Sequence, residues 1–350
     1  MNEQSAPARS VGIDMVKAAA ILGVLLLHTS TYGYGGQILS PQWTAAVLWG
    51  CAVRPSVPLF FMCSGALLLP AEKSLPLRRL WGRNILKIVV AMLFWAMFYK
   101  VFHLLASGAL SGAALWQAVK EVLVFNQEFH FYFLHIILLV YAFLPVTRAF
   151  VQQADARLLR YALALWFALG ILFPTLLPFW PFRLLNAIAG MWPIRQSFAA
   201  IGYGLLGYVL ARRTPSYRIG ALSALAGYLL IFVPTALLSW RNGSIETHFF
   251  EGMGVGACLL GAGLFTLLYR LGESLPAGRA AAAVTRLSKA SFCIYLVHVV
   301  FLNVFEHFGL TAANYPAVLA VPVLAAANLL LSFLVWLILS RIPVVNRWLI

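Results

Sequence analysis

The sequence predicts an all-α bundle of about ten membrane-spanning helices, and three observations lead to this fold class. First, 62% of the 350 residues are hydrophobic and only 10% are charged, which is too apolar for a water-soluble domain. Second, apolar runs of about 20 residues, the length that crosses a bilayer, recur along the whole chain. Third, the basic residues gather between alternate runs. Residues 1–350 are therefore interpreted as one integral-membrane domain.

The apolar runs define the predicted spans in chain order. They lie near residues 14–33, 43–70, 84–106, 130–149, 159–179, 194–211, 217–239, 250–270, 287–307 and 317–340. An even number of spans puts both termini on one side, and 19 of the 25 Lys and Arg residues fall on that side. The positive-inside rule then predicts cytoplasmic N- and C-termini. The six remaining basic residues are Arg54, Lys100, Lys120, Arg183, Arg195 and Arg241.

The same charge distribution argues against several other classes of protein. The net charge of +15 follows the loops between spans, so it is interpreted as topology and predicts no nucleic-acid partner. All four cysteines, Cys51, Cys63, Cys258 and Cys293, lie in apolar runs without metal-ligand spacing. We therefore expect no metal, no disulfide framework and no bound cofactor. The first span is expected to stay uncleaved, because no clear signal-peptide cleavage site follows it.

The first span carries three ionisable residues, Asp14, Lys17 and His28. Lys17 and His28 are eleven residues apart, which places them on nearly the same helix face, about 16 Å apart. Ionisable groups at membrane depth usually face a protein interior or a wet cavity. Asp14 precedes Lys17 by three residues and is predicted to pair with it. Alternatively, Lys17 is a headgroup anchor and His28 a packing residue.

The second span is predicted to be broken at Arg54. Pro55 and Pro58 interrupt the helix there, because proline lacks a backbone donor and restricts the residue before it. A charge beside broken backbone at membrane depth is tolerated where it lines a cavity. The alternative is an arginine that reaches outward to the membrane surface. Further along, Ser64-Gly65 would allow close approach of another helix, and Ser64 is a candidate cavity-lining residue.

Three later stretches supply further candidates on the outer side and in span nine. Residues 113–125 are predicted to form an interfacial amphipathic helix. Glu128 and His130 stand at the outer mouth of span four, although the aromatic residues around them also fit an ordinary aromatic belt. Tyr295 and His298 lie deep in span nine as cavity-lining candidates, although His298 would also suit a satisfied structural histidine.

Span six contains a literal GxGxxG from Gly202 to Gly207. No strand precedes this motif and it lies inside an apolar helix, so a dinucleotide site is not indicated. Glycine-mediated helix packing is predicted instead.

Taken together, these motifs resemble the acyltransferase-3 family of integral-membrane O-acyltransferases, most closely its enterobacterial common antigen O-acetyltransferase type. The run from Arg54 to Gly65, RPSVPLFFMCSG, is the most specific match, to the family's second-span pattern. Three other matches are Lys17-x10-His28, His130-x-x-Phe133 and Ser291-x-x-Ile294-Tyr295-x-x-His298. The resemblance covers nearly the whole chain.

The resemblance implies an enzyme of the bacterial cytoplasmic membrane that uses cytoplasmic acyl-CoA, most simply acetyl-CoA, as co-substrate. It implies transfer to a hydroxyl of an envelope glycan or lipid-linked sugar on the outer side, in contact with membrane lipid. On this analogy His28 is the general base or acyl relay, and Lys17, with Asp14, contacts the anionic donor. Arg54 lines the acceptor or transition-state site. Lys17 stands where many members have arginine, so the bidentate fork is lost.

Two other classes of function remain open on the sequence. A transporter of a lipid-linked sugar or organic anion would also use broken helices and intramembrane charges, although no internal hydropathy repeat is evident. A non-catalytic assembly or sensing subunit would not need the ionisable residues of spans one and two together.

Overall fold

The computed structural model describes residues 9–72, 74–185 and 188–350, and within these ranges the regular structure is helical. The helices are α1 Val11–Thr31, α2 Pro41–Ala52, α3 Ser56–Leu68, α4 Leu77–Arg79, α5 Leu86–Ala106, α6 Gly112–Leu123, α7 Tyr132–Gln153, α8 Ala156–Phe167, α9 Phe173–Leu176, α10 Gln196–Arg212, α11 Tyr217–Asn242, α12 Val255–Glu273, α13 Arg279–His307, α14 Ala317–Leu339 and α15 Pro343–Trp348. Wider π-helical turns join α4 to α5 and α8 to α9, and short 3₁₀ turns precede α7 and α12.

The predicted membrane bundle is confirmed. Nine helical stretches in the described part of the chain are long and apolar enough to cross a membrane. The tenth predicted span is α10, which is apolar but has only 17 residues. At 1.5 Å per residue it is about 26 Å long, slightly less than the hydrocarbon core of a typical bilayer.

Helix α1 is the centre of the bundle, and it packs against α3, α12, α13 and α14. Ser10 caps its first turn, because the hydroxyl accepts a hydrogen bond from the Ile13 N–H at 3.1 Å. The Gly12 N–H donates to the Glu273 carboxylate at the end of α12. Apolar residues such as Ile21 and Leu25 are fully buried. The ionisable residues of α1 are therefore held inside the bundle.

The second span is broken beside Pro55, as the sequence predicts. Helix α2 ends at Ala52 and α3 begins at Ser56. The Ser56 hydroxyl and backbone N–H both donate to the Val53 carbonyl oxygen, at 2.6 and 3.1 Å, and hold the turn at the break. Arg54 therefore projects from a turn between two half-helices rather than from a continuous helix.

The glycines of α10 allow close contact with α3, as predicted. A Cβ at Gly65 would lie 1.8 Å from the Gly204 carbonyl oxygen, and a Cβ at Gly207 would lie 2.1 Å from that of Met62. Larger residues cannot fit at either position without moving backbone.

The predicted interfacial helix is α6, which ends two residues earlier than expected. Its Glu121 carboxylate pairs with Lys100 of α5 at 2.6 Å. Hydrogen bonds from Lys100 and from Gln117 hold the pKa of Glu121 below its ordinary value. Trp116 and Leu123 remain exposed, as expected for a helix lying at a membrane surface.

Candidate active site

Three histidines from separate elements meet inside the bundle. His28 of α1 stacks against His298 of α13 with ring centroids 5.3 Å apart. His130, in the short turn before α7, packs edge-on to His298 at 5.2 Å. We call His28, His130 and His298 the histidine cluster. The sequence proposed each of these residues separately but did not predict that they meet.

The histidine cluster has unused hydrogen-bonding capacity. The Nδ1 atom of His298 lies 2.7 Å from the Tyr295 carbonyl oxygen, but its Nε2 is buried without a partner among the described residues. Both ring nitrogens of His130 are likewise buried and unpartnered within that part of the chain. Buried polar atoms without partners are costly. The cluster is therefore suited to receive hydrogen bonds or protons from a bound molecule.

The surroundings of the cluster fix its backbone in place. Asn328 of α14 donates to the His298 carbonyl oxygen at 3.0 Å, and the Tyr295 hydroxyl donates to the His130 carbonyl oxygen. The ring of Tyr99 packs edge-on against His130 at 5.4 Å. The backbone is thus anchored while ring nitrogens stay available.

No metal site is seen in the described ranges: no set of three or more His, Cys, Asp or Glu residues there is arranged to hold a metal ion. The four cysteines are free and buried.

A cavity of about 340 Å³ opens beside α1, toward the end of the bundle where α1 begins. Its lining residues are Lys17, Phe60, Ser64, Arg83, Asn84, Lys87, Ile88, Phe133, Ile137, Tyr141, Ser291, Phe292 and Tyr295. Lys17, Arg83 and Lys87 give it positive charge, and no Asp or Glu stands among these described lining residues. We call it the cationic cavity. It is suited to an anionic ligand.

Tyr295 connects the cationic cavity with the histidine cluster. Its side chain lines the cavity, and its ring centroid lies 5.5 Å from that of His130 and 6.0 Å from that of His298. Phe133 lines the same cavity and packs 5.2 Å from the Tyr295 ring. The cavity therefore ends at a wall of aromatic rings beside the histidines. Ser64, another proposed lining residue, also lines the cavity, whereas His130 and His298 do not.

A second cavity, of about 190 Å³, lies at the opposite end of the bundle around Arg54. We call it the arginine cavity, and it is also lined by Leu27, Val57, Pro58, Tyr132, Ile136, Thr247, Phe250, Glu251, Gly252 and Met253. The guanidinium carbon of Arg54 lies 4.3 Å from the centroid of the Phe250 ring, a cation–π contact. Its Nε is buried without a partner among the described residues. Leu27, the residue before His28 on α1, lines the same cavity.

One predicted contact is wrong: Asp14 does not pair with Lys17. Its carboxylate accepts hydrogen bonds from Arg9 at 2.5 and 2.7 Å, from Ser288 at 2.7 Å and from Thr285 at 3.0 Å. The side chain therefore points toward α13, while Lys17 faces the cationic cavity. Asp14 has its acceptors fully engaged by the protein itself.

Glu128 is also engaged by the protein. Its carboxylate lies 2.9 Å from the His103 Nε2 of α5, and it lines neither the cationic cavity nor the arginine cavity. His130 beside it points inward to the cluster. The aromatic mouth of span four therefore contains one buried residue of the histidine cluster and one residue that contacts α5.

Sequence reasoning did not assign most of the residues that line these two cavities, including Arg83, Lys87, Phe250 and Glu251. Arg83 and Lys87 were counted only as topological charges, and their spacing of four residues on one helix face was the available signal. Phe250 and Glu251 lie in a turn before α12, and no sequence pattern links that turn to Arg54.

Comparison with known proteins gives one match. A family model described as an acyltransferase domain, of the acyltransferase-3 type, matches residues 10–337. No curated protein and no solved structure matches the chain. The matched range includes the histidine cluster and all residues that line the two cavities.

Proposed function

The chain belongs to the acyltransferase-3 family, and from that membership we propose that it transfers an acetyl group from acetyl-CoA to a hydroxyl of an envelope glycan or lipid-linked sugar. One observation supports this activity most directly: the histidine cluster lies between two cavities at opposite ends of the bundle. One cavity would admit the donor from the cytoplasm and the other would admit the acceptor from outside. We propose further that the chain is of the enterobacterial common antigen O-acetyltransferase type, which its motifs taken together resemble most.

The donor would enter the cationic cavity. Coenzyme A carries several phosphate charges, and Lys17, Arg83 and Lys87 supply the positive charge that would hold them. Arg83 would supply the planar fork that Lys17 lacks. Since the cavity extends from these cations to Tyr295, a donor with its phosphates at the rim would point its thioester toward the histidine cluster.

His28 would act as the general base. As the acceptor oxygen attacks the thioester carbonyl, a C–O bond forms and the C–S bond breaks, and the hydroxyl proton must be taken up. His28 would accept that proton and return it to the departing CoA thiolate. Arg54 would stabilise the negative charge on the carbonyl oxygen, because its Nε has no partner among the described residues.

The acceptor would bind in the arginine cavity. The exposed Tyr132 offers aromatic surface to the apolar face of a sugar ring, and the exposed Glu251 offers a carboxylate to its hydroxyls. Phe250 holds the Arg54 guanidinium beside them. This chemistry suits a carbohydrate better than an apolar acceptor.

The test is acyl transfer by the purified chain in sealed vesicles that carry a lipid-linked sugar acceptor. With labelled acetyl-CoA supplied on the donor side, we expect label in the acceptor and one free CoA thiol released for each acetyl transferred. Movement of unchanged acceptor or donor across the membrane, with no labelled ester formed, would show a transporter instead.

The orientation is tested separately by cysteine labelling. Gln37 and Ser74 lie in exposed loops at opposite ends of α2–α3, and the native cysteines are buried. A membrane-impermeant thiol reagent applied to intact cells should label Gln37→Cys but not Ser74→Cys. The reverse pattern would put the cationic cavity on the outer side and contradict the proposed direction of transfer.

A further inference from the structure

A third cavity, of about 470 Å³, lies where α7 ends, α8 begins and α10 ends. Its lining residues are Val151, Gln152, Ala154, Ala156, Leu159, Arg160, Leu163, Tyr208, Val209, Arg212 and Arg213. We call it the rim groove. It opens at the end of the bundle that the charge asymmetry predicts to face the cytoplasm.

The rim groove has unneutralised positive charge. Arg212 pairs with Glu72 at 2.6 Å and lies 4.9 Å from the Tyr208 ring centroid. Arg160 and Arg213 form no ion pair with any described residue. Two exposed guanidinium groups therefore face a concave site without an acidic partner.

The walls of the groove are apolar and continue into the lipid-facing surface. Val151, Leu159, Leu163 and Val209 line the groove and belong to one packed apolar cluster. Helix α8 beside the groove is amphipathic, and most of its large side chains are exposed rather than packed. An occupant would thus meet cations at one end and apolar surface at the other.

We propose that the rim groove binds the headgroup of an anionic phospholipid from the cytoplasmic leaflet. Basic pockets between membrane helices on that side suit lipid phosphate, and the apolar walls would contact the upper part of the acyl chains. A free phosphate would make no contact with those apolar walls. The groove shares no lining residue with the cationic cavity. The proposal is independent of the acyl-transfer chemistry and depends only on the predicted orientation.

The test is binding of short-chain phosphatidylglycerol to the purified full chain in detergent, with Arg160→Gln/Arg213→Gln as the variant. Each arginine near a lipid phosphate contributes about fivefold in affinity, so the double variant should bind about 25-fold more weakly. The matched control is Arg157→Gln/Arg218→Gln, which removes two exposed arginines outside the groove. The control should bind like the unchanged chain.

Three outcomes would overturn the proposal. Phosphatidylcholine could bind as tightly as phosphatidylglycerol, inorganic phosphate or ADP could displace the lipid at equal concentration, or the control could lose as much affinity as the variant. Thermal unfolding of each variant without lipid checks folding. If the double variant does not fold, Arg213→Gln alone should still show the fivefold loss, and Arg160→Lys/Arg213→Lys should retain most of the affinity.

Discussion

Asp14 and Lys17 lie one turn apart on the same helix, yet their charged groups have opposite surroundings. Asp14 is buried and accepts four hydrogen bonds from Arg9, Thr285 and Ser288. Lys17 is half-buried, faces the cationic cavity and has no acidic partner among the described residues. A satisfied charge holds helices together, whereas an unsatisfied charge beside a cavity is available to a ligand.

A contrast of position separates the histidines. His28, His130 and His298 pack together between two cavities, and ring nitrogens of His130 and His298 have no partners in the described chain. His135 lies elsewhere on α7 and packs edge-on against the exposed Phe125 at 5.2 Å. Four predictions test whether unsatisfied groups perform function while satisfied groups provide stability.

The largest effect is expected from His28→Ala. Loss of a general base lowers turnover by about 10² to 10⁴ fold, while donor binding should be largely retained. The measurement is paired acetyl-CoA binding and acetyl transfer on the purified chain. His135→Ala is the matched control and should keep its turnover. Normal turnover in His28→Ala would show that His28 takes no part in the chemical step.

Arg54→Lys should have the next largest effect, about a 100-fold loss of turnover. Lysine keeps the charge but loses the planar fork that can meet a developing oxyanion. Arg241→Lys, at the exposed end of α11, provides the comparison and should leave turnover unchanged. Equal turnover in both variants would mean that Arg54 acts only as an anchor.

Asp14→Asn should instead reduce stability, by about 1–3 kcal/mol, because the donors on Arg9, Thr285 and Ser288 lose a charged acceptor that is buried. Turnover per folded molecule should not change. Thermal unfolding in detergent and acetyl transfer by the folded fraction measure the two quantities. Weaker acetyl-CoA binding at unchanged stability would restore the donor-binding role that the resemblance implies for Asp14.

The smallest effect is expected from Lys17→Gln. Removal of one of three cations should weaken acetyl-CoA binding about fivefold, since Arg83 and Lys87 remain, and should leave the chemical step intact. Lys120→Gln on α6 is the control. The measurement is the equilibrium dissociation constant of acetyl-CoA for the two variants, and only Lys17→Gln should raise it. An unchanged dissociation constant would leave Lys17 as a headgroup anchor.

The sequence predicted features that depend on local chemistry. The helix break at Arg54-Pro55 and the glycine contact of α10 follow from the conformational limits of proline and glycine, so both are confirmed. The spans follow from apolar length, and only α10 is shorter than a typical span.

The sequence could not predict pairings between distant segments. Asp14 was paired with its neighbour on the same helix because spacing along one helix is visible in a sequence. Its actual partners on α13 lie more than 270 residues away. Glu251 reaches the arginine cavity in the same manner, from a turn that no periodic pattern connects with Arg54.

The aromatic wall at Tyr295 and Phe133 also bears on the energy stored across a membrane. The cationic cavity and the arginine cavity have no lining residue in common. A single charge that crosses a potential of 100 mV gains or loses about 2.3 kcal/mol, so an open aqueous path would let protons and ions run down the gradient. An uncharged acetyl group needs no such path. The wall would let a short acyl group pass between compartments while the membrane stays electrically sealed.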